Sequence, residues 1–480
     1  MRRRRPFLAA FLVVALATAQ CVLAEGEGGE REMGSRFLLE ARSELPLVED
    51  PAVREYVEAL GDRLVGELGP QPFDYRFFVV QSPILNAFSV PGGYIFVFSG
   101  LLGRVGSDDE LAGVLGHEIG HAHAHHVVRM QTQGMAWNVA SLLGVFLAAI
   151  NPVLAAGAIA AAQTAQLKYS RDFEQEADYL GLTTSSQAGY DPEAMPAFFK
   201  QLLIEQRVNP AGVPPYMLSH PITEERISHA ETVIKTRGLK TPPGHPKTTP
   251  EFEEARAVAN AVDGPPEVVI ANYKKLADEK PDDAQRQFLL GRVYQTVGKP
   301  DAARVSLEKA RDLGYGARVD RPLGAVYVAL KQPEQGATIL QRYLTAHPSD
   351  AWAHLQLGKA LADQGKNDQA VSEFQRAVRL DGDLDEAHRL LGMSLGRQGD
   401  QGQGFYQLAV AAKLRGDLSQ AYTLYDRARP LLAEGSPQRE EVDAALEELA
   451  PVVRELERER SQRRRGMAAG PAGASRVPGP

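Results

Sequence analysis

Apolar positions divide the chain into two regimes. Between about residues 30 and 240, helical spacing is mixed with short alternating runs, whereas from about 263 to 460 the spacing is helical throughout. In the first regime, residues 84–90 and 94–98 read as two strands joined by the turn Pro91-Gly92-Gly93. Ser107-Asp108-Asp109-Glu110 reads as a capping box that opens a helix, with Leu111, Leu115, Ile119 and Ala122 on its apolar face. Residues 170–178 read as a second helix. Between the two lies an apolar segment, residues 137–166, interrupted by Asn151-Pro152. Neither half comfortably crosses a bilayer. The segment therefore reads as a buried helical hairpin, or as a lid or peripheral membrane contact.

The helical regime repeats itself. Leu323-Gly324, Leu357-Gly358 and Leu391-Gly392 recur every 34 residues, and Leu290-Gly291 stands 33 residues ahead of the first. A small or acidic turn such as Gly365-Lys366-Asn367-Asp368 follows, and Ala370, Phe374 and Ala377 mark a second helix. Leu408-Ala409 to Gly416-Asp417 reads as a further, irregular copy. The layout resembles tetratricopeptide repeats, in which stacked helix pairs bury faces that no single pair can bury. That resemblance implies a protein partner on the repeats.

At 480 residues the chain exceeds what one core usually serves, so two or more folded units are expected. A formal charge of −8 argues against nucleic acid as the main partner. The composition, 44% hydrophobic and 24% charged, is that of an ordinary globular protein. The expected organisation is a signal peptide over 1–24, a catalytic domain over 25–240, a proline-rich linker over 241–262, repeats over 263–460 and a disordered tail over 461–480. Removing everything from 263 onward is expected to leave a folded domain.

The N-terminus predicts export. Arg2 to Arg5 form a positive stretch, an apolar run over 7–19 follows, and Val22-Leu23-Ala24 offers small residues at a cleavage site. Cleavage after Ala24 would move the formal charge from −8 to −12 by removing four arginines. Cys21, the single cysteine, lies beside this boundary. A lipoprotein reading would lipidate it, but Gln20 is a poor residue to precede such a cysteine.

The chemistry lies in the first regime. His117-Glu118-Ile119-Gly120-His121 matches HExxH. Residues four apart share one helical face, so both imidazoles can reach one zinc ion while Glu118 serves as general base. A catalytic zinc takes three protein ligands and keeps one position open. Glu174 is the candidate third ligand and Glu176 the second choice. Asp178, one turn after Glu174, is placed to hydrogen-bond a ligand histidine from behind. His125 lies about 12 Å along the helix axis from His117, too far to share the ion. His123, His125 and His126 read as surface or supporting groups. His220 and Arg226, in Ser219-His220-Pro221-Ile222-Thr223-Glu224-Glu225-Arg226, are candidate oxyanion donors. His220, on a loop ahead of a helix, is also a candidate fourth ligand that would close the site at rest. The strand containing Asn86, Ala87 and Phe88 reads as an edge able to bind an extended polypeptide by strand addition.

His117 to His121, Glu174 to Asp178, and the run from Asn86 to Tyr94 together resemble the CAAX prenyl protease and heat-shock protease X family of gluzincins. With an export signal ahead and tetratricopeptide repeats behind, the chain resembles the periplasmic, repeat-bearing members that act in β-barrel assembly. The resemblance implies a mainly α protein: a zincin-type α+β metallopeptidase domain with a small sheet, followed by an all-α repeat solenoid. It implies one zinc per chain on His117, His121 and Glu174, with Glu118 as base. Its implied substrates are misfolded or stalled envelope and outer-membrane proteins, with assembly machinery as partner. A repeat-based chaperone or adaptor with a largely latent protease site is the alternative.

Overall fold

A computed structural model describes residues 27–132, 171–210 and 213–468. The expectations placed on 1–24, on Cys21 and on 137–166 lie outside the described residues. The chain divides into two compact units, residues 1–330 and 331–480. The described residues are mainly helical with one small sheet.

The first unit is built around three strands, β1 (Arg76–Val80), β2 (Ala87–Val90) and β3 (Tyr94–Phe98). Their order is β1-β3-β2, with β1 parallel and β2 antiparallel to β3. The hairpin β2–β3 was expected, although β2 starts at Ala87 rather than at 84. Its turn needs glycine, because Gly92 and Gly93 both have φ near 85°. β1 was not read from the sequence.

Alternation sorts the strand residues onto two faces. Phe77, Val79, Ala87, Ile95 and Val97 enter a core shared with residues of helices α2 (Pro51–Gly66), α3 (Ser99–Arg104) and α4 (Asp108–His123). Phe78, Val80, Phe88, Val90, Phe96 and Phe98 enter a second core with Phe37 and Leu38 of α1 (Glu27–Glu44). Phe96 lies stacked between Phe78 and Phe88, with centroids 5.1 and 4.9 Å away. Burying each such ring stabilises by roughly 1.5–3 kcal/mol. This double burial fixes β2 against α4.

The boundary between catalytic domain and repeats departs from expectation. Residues 241–249 are irregular, but Pro250–Asp263 is a helix and not linker. Thr249 Oγ1 accepts a hydrogen bond from Phe252 N, with Pro250 at the first helical position. Thr249-Pro250, inside the expected linker, is thus a helix start. Phe252, Ala255, Val258 and Ala259 of this helix are buried in the catalytic core. Upstream of it, His245 pairs with Asp109 at 2.6 Å, and Thr249 Oγ1 donates to Asp108 Oδ1 at 2.6 Å. The supposed linker therefore clasps the start of α4. The first repeat helix, Ala284–Thr296, is tied in as well: Arg292 is buried and donates to Asp50 at 2.7 Å and to Glu254 at 2.8 Å.

In the second unit, paired helices such as Ala351–Asp363 with Asn367–Leu380 and Asp385–Arg397 with Gln401–Leu414 follow the predicted phase. Gly358 shows why each copy carries its glycine: a Cβ there would lie 2.5 Å from the Phe374 ring. The helix Pro437–Ala468 runs on through 461–468, a stretch expected to be disordered; arginine, methionine and alanine there are good helix formers. Among the described residues, no helix is long and apolar enough to cross a membrane.

Candidate metal centre

Ser107 starts α4 as expected, accepting a hydrogen bond from Glu110 N at 3.2 Å, while Glu110 Oε2 accepts one from Gly106 N at 2.8 Å. Asp108, Asp109 and Glu110 in the first turn also complement the helix dipole. Two turns on, His117, Glu118 and His121 are all buried.

The facing helix is α6 (Arg171–Gln187), reached after α5 (His126–Thr132). Glycines let α4 and α6 touch. A Cβ on Gly116 would meet Gly181 O at 3.0 Å, and one on Gly120 would meet Ala177 O at 3.0 Å. Each motif histidine follows one of these glycines, so the contact that needs them also presents the imidazoles to α6. That pattern of small residues was in the sequence and went unread.

Four side chains converge. Donor atoms of His117, His121, Glu174 and His220 lie within 4.8 Å of one another, all buried. His117 Nε2 and His121 Nε2 are 3.0 Å apart. Glu174 Oε1 is 3.4 Å from His121 Nε2, and its Oε2 is 3.6 Å from His117 Nε2. Two imidazole nitrogens facing each other beside a carboxylate, away from water, form an arrangement that a cation between them stabilises. Two imidazoles and a carboxylate are also a donor set that zinc accepts. The residues fit a metal ion.

Behind this cluster, Asp178 Oδ1 lies 2.8 Å from His117 Nδ1, the position anticipated for it. Arg226 sits on α9 (Glu224–Arg237), which follows α7 (Ala194–Val208) and the short α8 (Pro215–Ser219). Its Nε and Nη2 each donate to Asp178 at 2.7 Å. Nη1 lies 2.6 Å from Glu174 Oε2 and donates to Pro221 O at 3.0 Å. The guanidinium is thus engaged with the carboxylates and a carbonyl, an arrangement for orienting Asp178 and Glu174 rather than for receiving an oxyanion.

His220 caps α8 and is only 2% exposed, which rules out a surface bystander. Its Nδ1 is 3.0 Å from Glu174 Oε1 and 3.3 Å from His117 Nε2, and its Nε2 is 3.6 Å from Glu118 Oε1. Glu176 is turned elsewhere. Its side chain is 42% exposed and pairs with His126 at 3.1 Å and Arg129 at 2.9 Å. The second-choice ligand is therefore not part of the cluster.

The remaining histidines separate. His123 Nδ1 lies 3.0 Å from Gln71 Oε1, and His125 Nδ1 lies 2.7 Å from Glu30 Oε1. His126 is fully buried, with Nδ1 2.8 Å from His121 Nδ1. α4 ends at His123 and His125 has φ 54°, so the uninterrupted helical face assumed for His125 does not exist.

Burial raises the Glu118 carboxyl, opposed by His220 and His117. Burial acts on Glu174 in the same direction, but His220, His121 and Arg226 outweigh it and hold that group well below the usual carboxylate range. One buried acid is thus biased toward accepting a proton and the other toward staying anionic. Ala87 and Phe88 start the edge strand β2, which packs on α4, and Asn86 lies just ahead of it. Asn86 Oδ1 is buried with no hydrogen-bond partner among the described residues.

Comparison with known proteins agrees with this geometry. Residues 51–234 match the family described as Peptidase family M48, and residues 358–399 match the TPR repeat. The Beta-barrel assembly-enhancing protease of Escherichia coli (strain K12) is 26% identical over 411 residues, covering 75% of this chain and 82% of its own length. The Putative beta-barrel assembly-enhancing protease of Vibrio cholerae serotype O1 is 35% identical over 218 residues, covering 44% of each. The Mitochondrial metalloendopeptidase OMA1 of Arabidopsis thaliana is 37% identical over 152 residues, covering 32% of this chain and 30% of its own.

Proposed function

We propose that this chain, whose residues 51–234 match Peptidase family M48, is a zinc-dependent metalloendopeptidase of the periplasm. In this reading it degrades misfolded or stalled envelope and outer-membrane proteins, and its repeats recruit substrates or an assembly partner. The observation that carries the reading is the buried convergence of His117, His121 and Glu174 beside Glu118. The names of the relatives in Escherichia coli and Vibrio cholerae support a role in β-barrel assembly. The N-terminal pattern of Arg2 to Ala24 supports export.

His117, His121 and Glu174 would hold the ion. When bound, zinc supplies a Lewis acid that polarises a peptide carbonyl and activates water. Glu118, raised by burial, accepts the proton from the attacking water and returns it to the leaving amine. Asp178 fixes the tautomer of His117, and Arg226 holds Asp178 and Glu174 in place. β2, the edge strand of the sheet, binds the substrate as an added strand.

A second reading rests on His220. Its position among the ligand atoms supports a site closed at rest by a fourth protein ligand, opened when a substrate or partner draws the loop away. In that form the protein acts as a repeat-based chaperone or adaptor with a latent protease. Expressing Glu118→Gln in the periplasm and identifying what it retains tests the proposal. Enrichment of outer-membrane polypeptides supports it, and retention of the same proteins by an unrelated exported control contradicts it.

A further inference from the structure

We infer that His126 is a positioning residue for the metal centre, fixing the tautomer and ring orientation of His121. The inference rests on the metal-binding reading and assigns one of the buried histidines outside the ligand set.

His121 has two ring nitrogens. Nε2 faces His117 and Glu174, which leaves Nδ1, and this lies 2.8 Å from His126 Nδ1. Two nitrogens at that distance share one hydrogen, and the other end of His126 decides where it resides. His126 Nε2 is 3.1 Å from Glu176 Oε2. A carboxylate only accepts, so Nε2 of His126 carries the hydrogen and its Nδ1 is left as an acceptor. His121 Nδ1–H therefore donates to His126, and His121 Nε2 keeps its lone pair for a metal. The chain of contacts ends on Arg129, whose Nη1 donates to Glu176 at 2.9 Å.

Packing and backbone both serve this contact. The His126 ring lies parallel to Phe173, with centroids 4.4 Å apart and an interplanar angle of 13°. In an uninterrupted helix, a residue five places after His121 would sit about 140° round the axis. The break at Ala124 and the left-handed φ of 54° at His125 bring residue 126 back toward His121. The two motif histidines are thus supported differently: His117 directly by a buried carboxylate, His121 through an imidazole that passes the contact to a half-exposed one.

Full-length wild type, His126→Phe and His126→Asn distinguish the outcomes. Phenylalanine keeps the ring on Phe173 and removes both nitrogens, whereas asparagine returns an acceptor oxygen near the lost Nδ1. Zinc per chain and transfer of zinc to a chromophoric chelator are measured, with far-UV circular dichroism as the check on folding. Losing such a partner weakens metal binding by about 10–100-fold. The Phe variant should show that loss with an unchanged spectrum, and the Asn variant should regain part of it. A folded Phe variant that binds zinc as tightly as wild type overturns the inference, as does an Asn variant no better than Phe. If the variants fail to fold, nitrogen-15 NMR of zinc-loaded wild type decides. Hydrogen on His121 Nδ1 and His126 Nε2 supports the assignment, and hydrogen on His126 Nδ1 overturns it. A wild type that holds no zinc overturns both this inference and the metal reading, whereas zinc-loaded wild type with an equally tight Phe variant removes only the role of His126.

Discussion

Arg226 grips Asp178 through two hydrogen bonds of 2.7 Å, and Asp178 in turn faces His117 at 2.8 Å. Both partners of the grip are buried. Arg226→Ala would take the guanidinium from the buried carboxylates of Asp178 and Glu174, leaving them only imidazole partners, a loss of up to about 3–5 kcal/mol. Denaturant unfolding of the metal-free protein should show it. Lysine cannot bridge both oxygens of Asp178, so Arg226→Lys should recover only part. Unchanged stability with lowered turnover would instead return Arg226 to the oxyanion role.

The same ties move the useful cut point along the chain. Arg292 joins Asp50, which caps α2, to Glu254. A protein ending at residue 330 keeps the whole first compact unit and should fold and bind metal. One ending at 263 loses Arg292 and should be less stable by roughly 3–5 kcal/mol. Comparing unfolding midpoints checks this, and equal midpoints would place the structural boundary back near 263.

Much of this was legible because it is local. HExxH, the capping box at Ser107 and the spacing of Glu174 and Asp178 depend on helical period alone. The repeats are legible for the same reason. Groups whose role is set by distant parts of the chain were not. His126 reaches His121 only through the backbone break at His125, which no period announces. Arg226 read as a donor to substrate because its carboxylate partners lie 48 and 52 residues away. Pro250 fell within the expected linker, and only the burial of Phe252 shows that it starts a core helix.

His354 gives a pH-dependent prediction in the second unit. Its hydrogen bond to Glu373 raises its pKa above the usual value, against partial burial. A raised folded pKa adds stability fully below the unfolded value of about 6.5, and that stability is lost as pH rises through the folded value. Wild type should therefore exceed His354→Gln in stability more at pH 6 than at pH 9, by up to about 1 kcal/mol. Thermal unfolding at the two values measures it, and a pH-independent difference would contradict the pairing.

His220 shares the ligand cluster, so its removal should open the site. His220→Ala should raise basal cleavage of an unfolded model protein, and self-cleavage with it, while zinc is retained. Lower turnover with zinc retained would make it an oxyanion donor instead.

The central claim is that His117, His121 and Glu174 hold a metal on which Glu118 acts. Zinc content and proteolysis measured on one purified sample of Glu118→Gln test it most directly, since glutamine keeps the shape of the side chain and removes the base. The account predicts about one zinc per chain and turnover reduced by at least about 10²-fold. Cleavage at the wild-type rate, or loss of the zinc, would contradict it.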